Sequence, residues 1–337
     1  MQGNMKKWAS DQISAARKKA MPILSFPSIT LMGLTVQQLI NSSENQAQGM
    51  KKIADRVNSC ASVSMMDLSV EAETFGSTIR FSDGEVPTVT GAVVSDQTEA
   101  DALKIPSVGT GRTGKYIEAI KKAACIITDR PVFAGIIGPF SLAGRLMDVS
   151  EALANCIGEP EMVHTVMRKT TDFLIEYGMA YKNAGANGIV MAEPLTGLLS
   201  PPLAAEFSSP YVKEIVMALQ DDNFIITYHN CGNATIQMID SILSTGSSAY
   251  HFGDAIDMAE MLKHIPENLI VMGNVSPSRE FLNGTPESIR KETMRILETC
   301  GKHQNFIISS GCDIPPLSSW DNIDSFFNTV DDFYRTH

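Results

Sequence analysis

The chain has 337 residues, 44% of them hydrophobic, with 24 Gly and 16 Pro; this is ordinary globular composition, long enough to bury a large core. Its 27 Lys and Arg against 38 Asp and Glu leave a net charge of −11 with no basic run, which argues against nucleic-acid binding. The apolar stretches are too broken to span a bilayer, and the six dispersed cysteines lie in a chain without a secretory pattern, so a cytoplasmic protein that uses cysteine for metal binding or catalysis is expected.

Residues 1–20 read as an amphipathic helical extension. Short apolar runs follow at 22–27, 62–67, 132–138, 188–194, 224–232, 249–254, 269–275 and 306–312. Near-continuous apolarity is the habit of parallel strands buried on both faces. Helical patterns such as 160–185 and 234–246 separate them, which implies right-handed crossovers in a parallel sheet. Eight such units predict a single (β/α)8 barrel domain over residues 1–337, with a doubly wound open sheet as the alternative. Residues 77–94 carry an Asp83-Gly84 turn signal and break the alternation; they predict a β-hairpin excursion after the second strand.

Barrel chemistry sits where strands end and the following loops begin. Those ends supply Asp67, Glu193, His229, Cys231, Asp254, Asn274 and Cys312. His229 and Cys231 are two apart on one strand and point to the same face. Cys312 ends the eighth run and would meet them across the mouth. Each residue alone has a plain explanation as a core side chain. Together they predict a His-Cys-Cys zinc site with an open fourth position, which marks a catalytic metal. Two thiolates and one imidazole cancel the ion's charge and suit a soft sulfur ligand. Deprotonating a free thiol of pKa about 8.5 in this way is worth about 2 kcal/mol near neutrality. Alkyl transfer to a thiol is therefore favoured over hydrolysis.

The motifs "MDLSVEAETFG" (66–76), "MAEP" (191–194), "HNCG" (229–232) and "GCDIPP" (311–316) resemble the uroporphyrinogen decarboxylase superfamily. Within it, the H-x-C followed later by Cys resembles the zinc-dependent branch that moves a methyl group from a methylated corrinoid, such as methylcobalamin on a carrier protein, to coenzyme M. The resemblance implies zinc ligation by His229, Cys231 and Cys312. Glu193, which stands where that branch usually has Asp before Pro, is a candidate resting ligand or thiol base. Asp67 is a candidate partner of His229 or a helix cap. Asp254 and Asn274 are candidate corrinoid contacts or plain loop turns.

No Lys or Arg lies between Lys19 and Lys51, where the decarboxylases place arginines for a polycarboxylate substrate, so decarboxylation is disfavoured. Three alternatives remain open: methyl transfer to a pterin such as tetrahydrofolate, zinc-dependent hydrolysis, and a non-enzymatic corrinoid-binding role. A sulfonate acceptor needs a cationic pocket, for which Arg80, Arg112 and Arg145 are all candidates. The Gly109-x-Gly111-x-x-Gly114 match to the dinucleotide fingerprint lacks a preceding strand and reads as a helix start.

Overall fold

The computed structural model describes residues 3–336. Its strands are β1 (Ser62–Val63), β2 (Thr78–Arg80), β3 (Thr88–Thr90), β4 (Val132–Ile137), β5 (Gly188–Ala192), β6 (Ile225–Asn230), β7 (Ala249–Phe252), β8 (Ile270–Val275) and β9 (Phe306–Ser310). Seven of them form one parallel sheet in the order β1-β4-β5-β6-β7-β8-β9. Each strand is laid beside the one before it in that sheet. A doubly wound sheet reverses its order at a switch point, so the open-sheet alternative does not hold. The remaining two strands pair antiparallel, Thr78 opposite Thr90, as a hairpin between β1 and β4.

Alternation along the strands divides the apolar residues between two cores. Phe133, Val190, Ile225, Ala249, Ile270, Met272 and Ile307 gather on the inner face of the curled sheet. Their neighbours Ala134, Ile189, Ile226, Tyr250, Val271 and Ile308 pack outward under the helices. The helix Met5–Ser14, capped by Asn4 accepting from the Lys7 amide at 2.6 Å, turns Met5 and Trp8 into the inner core. Trp8 packs at a tilt against Phe133 with ring centroids 5.8 Å apart, close to where β4 begins, so this helix covers the end of the sheet opposite the strand termini. It stops at Ser14 rather than running to residue 20, and the first two residues of the expected extension lie outside the described residues.

The expected first strand at 22–27 is corrected by the structure: it is irregular chain. Pro22 and Pro27 have no N–H to give to a ladder. The segment is instead tied between β9 and the approach to β1 by isolated bonds. The Met21 amide donates to the Ile308 carbonyl at 3.1 Å, and the Cys60 amide to the Ala20 carbonyl at 3.0 Å. Serine side chains supply the rest: Ser309 Oγ donates to the Met21 carbonyl at 2.8 Å, and Ser310 Oγ accepts from the Ile23 amide at 3.0 Å. A seven-strand ladder with a hydroxyl-stitched eighth segment therefore replaces the eight regular strands expected. Among the described residues no helix is long and apolar enough to cross a membrane.

Phe133 is fully buried in the inner core and holds Trp8. Phe133→Ala is expected to cost about 3–5 kcal/mol, measured by urea unfolding with the helix Met5–Ser14 loosened first. A loss below about 1 kcal/mol would contradict this placement.

Candidate functional site

Thr227 and His229 share the inward face of β6 with Ile225, and His229 lies in register between Ala192 of β5 and His251 of β7. Cys231, just past the strand end, keeps the same facing. Two glycines let the neighbouring strand ends draw in. A Cβ on Gly253 would sit 2.6 Å from the Cα of Cys231, and one on Gly311 would sit 2.6 Å from the amide nitrogen of Asp254. Cys312 follows Gly311 directly, so this close approach delivers its thiol to the His229–Cys231 pair.

The ligand atoms of His229, Cys231 and Cys312 all lie within 4.8 Å of one another, and Cys312 Sγ is 3.6 Å from His229 Nε2. A tetrahedral zinc with bonds of about 2.0 Å to nitrogen and about 2.3 Å to sulfur requires an N···S edge of about 3.5 Å. The His229–Cys312 edge thus matches a zinc site, and the third donor lies within 4.8 Å of both. The Cys312 thiol, with His229, holds Cys231 well below the usual thiol range, and the same interaction pushes Cys312 up.

His229 is oriented by a hydrogen-bonded chain that ends on the backbone. Its Nδ1 is 2.7 Å from His251 Nδ1, and His251 Nε2 is 2.7 Å from Ser309 Oγ. Ser309 gives its proton to the Met21 carbonyl, which can only accept. Ser309 Oγ must then accept from His251 Nε2–H, so His251 Nδ1 is a lone pair that accepts from His229 Nδ1–H. This leaves the lone pair of His229 on Nε2, the atom that faces Cys312. Burial and the neighbouring His229 hold the His251 pKa well below that of an ordinary imidazole, which keeps His251 neutral as the chain requires.

The other expected residues have different partners. Asp67 does not meet His229. It accepts from Ser69 N at 3.1 Å, Ser69 Oγ at 2.6 Å and Tyr116 Oη at 2.9 Å, and it pairs with the Arg112 guanidinium. Arg112 also pairs with Glu73 and lies over the Phe81 ring of the hairpin at 5.2 Å. It sits in the first turn of the helix Gly111–Ile126, and a Cβ on Gly114 would sit 2.4 Å from the Gly109 carbonyl; the fingerprint-like glycines thus form a helix start.

Glu193 is fully buried and lies outside the His-Cys-Cys group. Its carboxylate accepts from Phe140 N at 2.8 Å, Ser141 N at 3.1 Å, Ser141 Oγ at 2.8 Å and Thr196 Oγ1 at 3.0 Å. It caps the helix Pro139–Met147, where the backbone amides and dipole favour an anion. Burial nonetheless pushes its pKa up to about 7. Asn274 is buried and donates to the Gly253 and Ile256 carbonyls at 3.0 and 2.7 Å, fastening the loop after β7. Asp254 is exposed on that loop. Sequence reasoning missed His251 and Ser309 because it read only the last residues of each strand. The available signal was a histidine in "AYHFGD" on the inward parity of Ala249, beside His229.

The close approach at Gly253 gives a test that leaves every ligand intact. Gly253→Ala is expected to displace Cys231 and lower zinc affinity at least about 10-fold, read by metal content after dialysis against a graded chelator series. Full zinc retention would contradict the stated packing.

Residues 19–333 match the uroporphyrinogen decarboxylase (URO-D) family. Proteins named methylcobamide:CoM methyltransferase MtbA from Methanosarcina acetivorans and Methanosarcina mazei are each 28% identical over 267 residues, covering 76% of this chain and 75% of theirs. A uroporphyrinogen decarboxylase of Chlorobium phaeobacteroides is 27% identical over 254 residues, covering 72% of this chain and 70% of its own. The solved structure titled as a methyltransferase from Methanosarcina mazei superposes with a TM-score of 0.86 at 22% identity, covering 98% of both chains; at that identity it speaks for the fold. The parallel sheet, its irregular eighth segment and the cluster at its strand ends thus belong to a member of the uroporphyrinogen decarboxylase family.

Proposed function

We propose that this chain is a zinc-dependent corrinoid methyltransferase, moving a methyl group from a methylated corrinoid on a separate carrier protein to a small thiol such as coenzyme M. The observation that carries the reading is the convergence of His229 Nε2 with the Cys231 and Cys312 sulfurs. The similarity to proteins named for methylcobamide:CoM methyl transfer supports it. Decarboxylase relatives match almost as well, so the discriminating evidence is local. The cavity beside the cluster offers one cation, Arg145, against Glu85 and Asp313. A substrate bearing many carboxylates would find too little positive charge there.

The residues divide the work as follows. The Met21–Ser309–His251 chain holds His229 with its Nε2 lone pair toward the sulfurs. Cys231 and Cys312 supply the negative charge. His229, Cys231 and Cys312 would hold a zinc ion, which would supply the charge that keeps a substrate thiol deprotonated near neutral pH. A thiolate so held would take the methyl group from the corrinoid substrate, the Co–C bond leaving its electron pair on cobalt and the thiol proton having passed to solvent; the cavity wall would set the line of attack. Glu193 acts as a positioning residue through the helix Pro139–Met147, and Asp67 as the buried anchor of Arg112. Asn274 fixes the loop that carries Asp254, which stays the candidate corrinoid contact. Leu198, Leu282, Leu317 and Phe81 are exposed on the loops beyond the strand ends, an apolar rim suited to a macrocycle and its carrier.

Visible absorbance of methylcobalamin with the zinc-loaded protein tests the reading. Demethylation is expected with coenzyme M, abolished by a chelator and reduced at least about 100-fold in Cys231→Ala or Cys312→Ala. Turnover with tetrahydrofolate and no thiol would replace the acceptor, and chelator-resistant turnover would overturn the role of the metal.

A further inference from the structure

We propose that Arg145 selects the acceptor by binding an anionic group, a sulfonate or a carboxylate, at the end of the molecule remote from its thiol. This rests on the thiol-acceptor reading above and assigns a specificity residue to it. The place is a cavity of about 490 Å³ with apolar walls, among them Met66, Leu68, Val86 and Leu317. Asp313, which directly follows Cys312 in the chain, also lines it, tying one wall of the cavity to the segment that carries a sulfur of the cluster. Its volume is at the small end of ligand pockets, which run from about 300 to 1,000 Å³, and suits a small acceptor better than a corrin ring.

Arg145 is the cation of this cavity, and its charge is not answered by the protein. It lies in the last turn of the helix Pro139–Met147, where arginines often bond the free terminal carbonyls. It makes no such bond: its Nε is enclosed without a hydrogen-bond partner, and among the described residues it has no ion pair. The contrast is with Arg112, which is buried and meets both Asp67 and Glu73, whereas Arg145 is only half-buried. Burying an Nε–H without a partner is costly, and proteins ordinarily avoid it.

The acids nearest in electrostatic reach of Arg145 are Glu71 and Asp67. Asp67 is engaged by Arg112, Tyr116 and Ser69. Glu71 accepts from the Ile137 amide at 3.2 Å, and burial pushes its pKa up to about 7, so near neutrality its charge is only partial. Of the two acids that line the cavity, Glu85 is exposed on the hairpin loop, and neither it nor Asp313 makes an ion pair with Arg145 among the described residues. The remaining donors of Arg145 form a planar fork that matches an oxyanion. With the chain at −11 overall, the general field offers an anion no attraction, and a local cation has to do it. Of the other arginines considered for this part, Arg80 is exposed at the hairpin and Arg112 is neutralised.

The test separates anion binding from methyl transfer. Ethanesulfonate and propionate, which have no thiol, are titrated into zinc-loaded protein by ligand-observed NMR. At least one is expected to bind saturably and to weaken at least about 10-fold in Arg145→Gln, with Arg145→Lys retaining part of the affinity and so separating lost charge from lost fold. The tighter of the two names the head group. In the demethylation assay, the ratio of kcat/KM for coenzyme M over neutral 2-mercaptoethanol is expected to fall about 30-fold in Arg145→Gln, mostly through KM. No saturable binding of either anion to the unmodified protein, or equal binding by Arg145→Gln, overturns the assignment of Arg145. Charge-dependent binding without demethylation by any thiol upholds Arg145 and counts against the proposed reaction instead.

Discussion

The hydrogen-bonded chain from His229 through His251 and Ser309 to the Met21 carbonyl is the constraint on which the site depends. Its direction is set by its far end, because a carbonyl has no proton to return. Every link upstream is then forced, down to the tautomer that exposes His229 Nε2. The same Ser309 hydroxyl also stitches residues 20–23 to β9 where Pro22 denies the sheet a regular strand. One side chain thereby joins the closing edge of the fold to the orientation of a metal-ligand candidate. A loose 22–27 segment would free Ser309, and the imidazole pair would lose its order.

Packing around the cluster is equally tight. Gly253 and Gly311 allow the ends of β6, β7 and β9 to approach within distances that a side chain would forbid. Gly138 does the same for Glu193, since a Cβ there would sit 2.2 Å from its Cγ. The buried carboxylates are thus built into the scaffold around the cluster: Glu193 on a helix N-terminus, Asp67 on Arg112 and Tyr116. Charges that the fold satisfies internally are distinguishable from the one it leaves open at Arg145, and this difference is what gives the cavity a chemical preference.

Much of this was legible in the sequence. Continuous apolar runs marked the seven paired strands, and the i, i+2 spacing of His229 and Cys231 placed both on the inner face. The strand at 22–27 was misread because apolarity reports burial, and burial does not guarantee a ladder where proline removes donors. Glu193 directly follows β5, whereas β1 ends at Val63, four residues before Asp67; which partner a buried carboxylate finds depends on distant elements: Arg112 lies 45 residues from Asp67 and Phe140 lies 53 from Glu193. His251 escaped notice because its value comes from register with β6, which a single strand's pattern does not contain.

The central claim is that three side chains, one imidazole and two thiolates, form a ready metal seat. X-ray absorption at the zinc edge of the metal-loaded protein addresses it most directly. The account predicts two sulfur neighbours at about 2.3 Å and one imidazole nitrogen at about 2.0 Å, with one further light or exchangeable ligand. A shell of nitrogen and oxygen alone, or one with a single sulfur, would contradict it.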